Sequence, residues 1–275
     1  MPCARSGSDS TRSSRSGGSR STSATRASSR AATAGTSRAA GRLDRFAIVS
    51  QGDAQIDPVR FTHRLLAHSV VHGARVYERT EMVRFEPAGR RMRLHTANGP
   101  KVVADRIVFA TGYDSERFLG RRVGALHSTY AMVSEPLTST AGWPDRALIW
   151  ESARPYHYFR TTADHRAMIG GADIPWKNAR LRDAKLPAKV AALHKNFGRC
   201  FPEIEFDAAY AWAGTFGESE DGLPFIGPNG RCPNAYFALG YGGNGITFSM
   251  IAARLITAAH TGRAEQDAAM FAFDR

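Results

Sequence analysis

The stretch Gly240-Tyr241-Gly242-Gly243-Asn244-Gly245-Ile246 follows the apolar run Tyr236-Phe237-Ala238-Leu239 and precedes residues with helical spacing from Ile246 to about Thr261. It reads as strand, glycine-rich turn, helix. The turn formally matches G-x-G-x-x-G, the spacing of a dinucleotide fingerprint. The context argues against that reading: only about thirty residues follow Gly245, they hold no second strand, and Asp267 has no strand end to sit on. A narrower reading survives. Glycines remove side chains where a ligand approaches the backbone, and the helix behind them points free N–H groups and a positive dipole end at that place.

Working outward, the first clear element runs from Asp57 as N-cap through Pro58 at the first helical position to Gly73 as the stop, with Phe61, Leu65, Leu66, Val70 and Val71 on its apolar face. Extended segments are predicted at Arg75–Tyr77 and Met82–Phe85. A pair follows, Arg91–Thr96 and Val102–Asp105, joined at the favoured hairpin turn Asn98-Gly99. Ile107-Val108-Phe109-Ala110 is continuously apolar and stops at Thr111-Gly112, as a strand covered on both faces would. Between about His127 and Ser219 the chain is rich in aromatics and turn signals. Strand-like runs lie at Thr129–Ser134, Ala147–Trp150, Tyr156–Thr161 and Ala167–Gly171, and one helix is predicted over Leu186–Phe201.

With 275 residues, 43% hydrophobic, the chain can bury one sizeable core or two modest ones. The net charge of +12 would suggest a polyanionic partner if it were spread over a folded surface. It is concentrated instead: residues 1–42 hold eight arginines against the single acid Asp9, a net of +7, which leaves +5 for the other 233 residues. That Ser/Arg/Ala/Gly segment has no aromatic and no apolar period, so residues 1–43 are expected to be a disordered tail. It reads as a solvated tail, a transit-type peptide, a basic RNA-contacting tail, or the product of a misread frame of GC-rich coding sequence. No apolar run suits a membrane span or a secretory signal, so a cytoplasmic location is the expectation. Cys3, Cys200 and Cys232 are odd in number and far apart, which suits neither a disulfide framework nor a zinc site, and no metal is expected.

Asp221-Gly222-Leu223-Pro224-Phe225-Ile226-Gly227, followed by Gly240 to Ile246, resembles the carboxyl-terminal flavin motif of the D-amino-acid oxidase and glycine oxidase family. Ile56-Asp57-Pro58, Glu78-Arg79-Thr80-Glu81-Met82, Ile107 to Gly112 and the closing Met270 to Arg275 are similar to further landmarks of that family, in the same order. The resemblance implies an α/β fold: a partial Rossmann-like FAD-binding domain from residues 44–125 and 222–275, and an antiparallel-sheet substrate domain from 126–221. It also implies non-covalent FAD, with the backbone at Met82 beside the adenine, Thr111 and Gly112 near the pyrophosphate and ribose, and Tyr241, Gly242, Gly243, Asn244, Gly245, Ile246 and Thr247 beside the isoalloxazine.

The implied reaction is oxidation of a CH–NH bond in an amine or amino acid by hydride transfer to the flavin, with the electron acceptor unspecified and no catalytic side chain assigned. Two departures bear on this. Where glycine oxidase-like members present an arginine for the substrate carboxylate, this chain has Trp212, so Arg160 or Arg154 must serve, and Tyr156, Tyr158 and Arg160, alternating on one strand, form the candidate substrate face. Only 56 residues precede Asp57, mostly the Arg/Ser tail, whereas the family's pyrophosphate-binding strand, turn and helix normally precede this landmark by well over a hundred residues. A truncated or frame-disrupted member is expected. The alternative function is a non-catalytic remnant whose basic tail contacts nucleic acid.

Overall fold

The computed structural model describes residues 33–35, 47–50, 52, 54–230 and 232–275. Of the tail, only Thr33–Gly35 falls among them. These residues form a short strand, β1, paired antiparallel with β2 (Ala47–Val49), and the pair belongs to a compact unit of its own. The rest of the expectation about the tail lies outside the described residues.

The second unit carries everything from Ala54 onward. Its first element, α1 (Pro58–Val71), begins as the sequence dictates: the Asp57 carboxylate accepts from the backbone N–H groups of Val59 and Arg60, both at 3.0 Å, and Pro58 fills the first turn. Its apolar face does not find a core. No α1 residue is buried, and Leu65, Leu66, Val70 and Val71 are exposed. Arg75–Tyr77, expected as a strand, is irregular, with Val76 and Tyr77 exposed and no strand pairing with it among the described residues.

Strands β3 (Met82–Ala88), β4 (Arg91–Thr96) and β5 (Lys101–Ala104) form an antiparallel sheet in sequence order, and Asn98-Gly99 lies in the β4–β5 turn with Gly99 at φ +103. A second three-stranded sheet contains β6 (Ile107–Phe109), β12 (Phe225–Asn229) and β13 (Cys232–Leu239), in the order β12-β13-β6. β13 runs antiparallel to β12 and parallel to β6. The rings of Phe109 and Phe237 stack at 4.6 Å in a shared core with Met92, Leu119 and Leu239. After β6 come a 3₁₀ turn, Gly112–Ser115, and the single-turn α2 (Glu116–Leu119).

The third sheet has five antiparallel strands in the order β11-β7-β10-β9-β8: β7 (Ala125–Pro136), β8 (Ile149–Trp150), β9 (His157–Thr161), β10 (Arg166–Pro175) and β11 (Ala208–Glu218). β8 is shorter than the predicted Ala147–Trp150. α3 (Ala179–Ala184) and α4 (Leu186–Cys200) cross between β10 and β11, and α4 buries Leu193 and Phe197 against Tyr130, Phe159, Ile169 and Phe206. Each fully buried aromatic or aliphatic side chain of this cluster contributes about 1.5–3 kcal/mol, so this sheet holds the larger of the cores. Finally α5 (Gly245–Thr261) covers β12 and β13 through Ala252 and Leu255, and Gly262 at φ +72 ends it.

Candidate active site

Two glycine turns leave the same end of the parallel pair. β6 runs into Thr111-Gly112 and β13 into Gly240–Gly245, so both turns stand at the carboxyl ends of parallel strands, the edge at which open α/β sheets bind ligands. Gly112, Gly240 and Gly242 have φ of +58, +80 and +53, conformations that favour glycine. Thr111 Oγ1 and Ser115 Oγ lie 2.9 Å apart and close the first turn. Met82 belongs to a different sheet: its carbonyl accepts from Arg117 Nη2 at 2.8 Å, and its side chain packs on the Phe109 core.

The second turn is tied to the end of β11. The Gly242 amide donates to the Gly217 carbonyl at 3.0 Å, and Tyr241 forms an antiparallel bridge with Glu218. A Cβ on Gly242 would lie 3.2 Å from Glu218 Oε1. Asn244 precedes α5 without a side-chain cap, and the first turn carries no acidic residue, so the N–H groups of Gly245, Ile246 and Thr247 are not taken by a cap. A Cβ on Gly245 would meet nothing within 4 Å. An uncapped helix start behind glycines fits the polar edge of a flavin ring, which is how this loop would hold FAD.

The substrate face reaches that loop directly. A Cβ on Gly243 would lie 2.8 Å from the Tyr156 hydroxyl, so only glycine leaves the phenol its place. The Tyr156 and Tyr158 rings are 6.3 Å apart, and Arg154 stands over Tyr156 at 5.0 Å. Tyr158 lies across Gly170, its direct cross-strand neighbour, where a Cβ would come within 2.2 Å of the hydroxyl. Burial pushes both phenols up and Asp173 adds to it in each. Arg154 opposes the shift at Tyr156 and Arg160 at Tyr158, which is held at about 12. Both therefore stay neutral O–H groups at ordinary pH. Arg160 reaches the Ile56 carbonyl through both Nη atoms, at 3.4 and 3.3 Å, and its Nε is buried without an acceptor.

Trp212 lies on β11 opposite Ala131 and is partly exposed. A separate cleft of about 760 Å³ is lined by Arg121, Arg122, His127, Glu218 and Arg275 among others; it shares Glu218 with the glycine loop but includes neither tyrosine. The carboxyl terminus locks the turn that leads into β12. Arg275 pairs with Asp221 (Nε–Oδ2 2.8 Å, Nη2–Oδ1 3.0 Å), donates to the Leu223 carbonyl at 2.7 Å and stacks on Phe225 at 3.8 Å. Sequence reasoning missed Glu218 and Asp173. The signal for Asp173 was the pair Gly170-Gly171 inside a strand, which marks a bulge or a close approach.

Compared with known families, residues 11–259 match the family model described as "DAO: FAD dependent oxidoreductase". The chain belongs to this family. Among curated members, the chain is 27% identical over 215 residues to the glycine oxidase of Geobacillus kaustophilus, covering 76% of this chain and 54% of that protein. It is 29% identical over 190 residues to D-amino acid dehydrogenase 2 of Pseudomonas aeruginosa, covering 68% of this chain and 42% of that one. The crystal structure of the Geobacillus kaustophilus glycine oxidase superposes with a TM-score of 0.62 at 21% identity, over 78% of this chain and 56% of that one. L-proline dehydrogenase from P. horikoshii gives 0.63 at 16% identity, over 78% and 59%. These likenesses establish the DAO-family fold, a mixed α/β architecture with antiparallel sheets, and FAD is the cofactor of the family. The chain spans about half the length of the curated relatives it matches. Among the described residues no helix is long and apolar enough to cross a membrane.

Proposed function

We propose that this chain carries the substrate face and the ring-side loop of an FAD-dependent oxidoreductase that oxidises the CH–NH bond of an amino acid or amine. The observation that carries the reading is the contact of the Tyr156 hydroxyl with Gly243, which sets the tyrosine wall of the five-stranded sheet against the uncapped start of α5. Non-covalently bound FAD would supply the hydride acceptor. The residues of the chain do the rest. Tyr156 and Tyr158 wall the substrate and exclude water, with their hydroxyls available as neutral donors. Arg160, with an unspent buried Nε–H, offers its planar fork to a carboxylate. The positive end of α5 favours negative charge on whatever the glycine loop holds. Thr111 and Gly112, on the neighbouring strand end, would hold the ribose and pyrophosphate side, and Met82 the adenine.

Visible absorbance of the purified chain, with and without added FAD, tests this. Stoichiometric bands at about 370 and 450 nm support it, and an amine and amino-acid screen follows. The unburied apolar face of α1 favours a second reading, a non-catalytic remnant of the family. A colourless chain that ignores added FAD is the result that reading expects.

A further inference from the structure

Toward its end β10 departs from regular pairing for a second time, after an earlier shift between Arg166 and Met168. Gly171 pairs with Tyr130 of β7, but the next pairing is Ile174 with Ser128, so β10 holds one residue more than its partner across this step. Ala172 takes φ +54, a left-handed conformation that residues with a side chain rarely adopt. Strict alternation would send Asp173 away from the face that carries Met168 and Gly170 opposite Arg160 and Tyr158. The bulge changes the phase, and the Asp173 charge acts on the phenols of both Tyr156 and Tyr158.

One oxygen of the Asp173 carboxylate lacks a donor there. Oδ1 is sealed from solvent and accepts no hydrogen bond, a condition that a buried carboxylate oxygen does not normally keep. The neighbouring cations also bond to backbone carbonyls, and Lys189 feels the Asp173 charge. Lys189 Nζ donates to the Ala172 carbonyl at 2.6 Å, Arg160 to the Ile56 carbonyl, and Arg154 to the Ala153 carbonyl at 3.2 Å while standing over Tyr156. The Ala172 amide donates to the Tyr156 carbonyl at 3.4 Å, which sets Asp173 next to the tyrosine strand; Asp173 and Arg160 act on Tyr158 in opposite senses, and Asp173 Oδ1 and Arg160 Nε are buried without partners.

We propose that Asp173 receives the ammonium group of a zwitterionic amino acid whose carboxylate is held by Arg160. The inference rests on the reading of the tyrosine wall as the substrate face. It makes Asp173 a specificity residue: a carboxylate without an amine leaves Oδ1 unsatisfied and sets two like charges together, so it is rejected.

The test measures ligand binding by the full chain in the presence of FAD, using calorimetry and ligand-observed NMR. The probes are glycine, both enantiomers of alanine, proline and phenylalanine, each beside its deaminated carboxylate and its decarboxylated amine. At least one amino acid is expected to bind. Asp173→Asn weakens that amino acid and its amine by about tenfold or more and tightens the deaminated carboxylate by removing the like charge; Arg160→Gln weakens the amino acid and spares the amine. Because Asp173→Asn removes a charge whose Oδ1 is buried without a donor, the ligand-free variant melts no lower than the wild type.

The inference is overturned if no probe binds the wild type, if Asp173→Asn binds the amino acid as tightly as the wild type, or if it loses all three probe classes equally. A fall in Tm for that variant also overturns it, by assigning Asp173 a structural role. The flavin absorbance of the same samples separates the two readings. A colourless chain with Asp173-dependent amino-acid binding removes the oxidoreductase and keeps this inference, whereas a yellow chain that binds no probe does the reverse.

Discussion

Gly170→Ala is the substitution whose consequence can be worked most directly from the coordinates. A Cβ at this position would lie 2.2 Å from Tyr158 Oη, 2.3 Å from Cζ and 2.8 Å from Cε2, where non-bonded contacts want about 3.5–4.0 Å. The tip of the ring must therefore move by more than about 1 Å. Off-rotamer displacement costs about 0.5–1.5 kcal/mol, and forcing an extra methyl into a packed face costs about 1–3 kcal/mol. Against this, Gly170 does not hold a positive φ, so alanine gains about 0.4–1 kcal/mol by restricting the unfolded chain. The net expectation is a loss of about 1–3 kcal/mol. In a Tyr158→Ala background the obstacle is gone, and Gly170→Ala should be neutral or stabilising. Urea denaturation of the four proteins gives the coupling directly, expected at about 2 kcal/mol. An equal cost for Gly170→Ala in both backgrounds would refute the packing of Tyr158 on Gly170, and with it the position of the substrate wall.

Three further outcomes follow from the same structure. Burial, with Asp173 second, holds the Tyr158 phenol at about 12, so its neutral form is favoured in the folded state. That contribution is fully present below about pH 10 and is lost as pH rises toward 12, by roughly 3 kcal/mol; Tyr158→Phe removes this part of the alkaline limb of a stability–pH curve. His95, then Arg84, hold the Glu86 carboxyl down at about 2, so the stabilisation it gives is present above about pH 4.5 and disappears as pH falls toward 2. Glu86→Gln flattens the acid limb in that window, and an unchanged limb counts against the cluster. Asp57→Ala removes the cap of a helix that has no buried side chain, so its cost of about 1 kcal/mol appears as faster amide exchange within α1, with global unfolding little moved.

What the sequence made legible was what local chemistry encodes. Asp57-Pro58 and Gly73 bracket α1, and Gly245 and Gly262 bracket α5, because caps act within a turn of the residues that form them. Tyr158 and Arg160 alternate on β9 because strand alternation is equally local, whereas Tyr156, expected on the same strand, lies just before its start at His157. β11 escaped because Ala208-Ala209-Tyr210-Ala211-Trp212-Ala213-Gly214 is poor in strand formers; pairing along β7, from Ala125 to Ser134, makes it a strand. Arg75–Tyr77 failed in the opposite way, with strand-like residues but no partner strand among the described residues. Asp173 was hidden because nothing in the word alanine announces that residue 172 will take φ +54 and turn the next side chain over. The bulge is a property of two strands with unequal residue counts, and a single strand read alone has no such count.

The same reasoning explains why the candidate site can hold a geometry without a rigid side chain at its centre. The glycine loop meets the substrate sheet through the Gly242–Gly217 hydrogen bond, the Tyr241–Glu218 bridge and the Tyr156–Gly243 contact. The first two are backbone interactions, and the third fixes a phenol against backbone. Long side chains could relax around a misplaced loop, whereas backbone contacts pass a shift of β11 directly to the start of α5. The distance from the tyrosine wall to the glycine loop is therefore set by the register of β11 on β7, whose pairing ends at Glu218 opposite Ala125. Orientation of a substrate against a bound ring depends on that distance. Substitutions that slip this register, even far from Tyr156, should impair the site as strongly as changes within it.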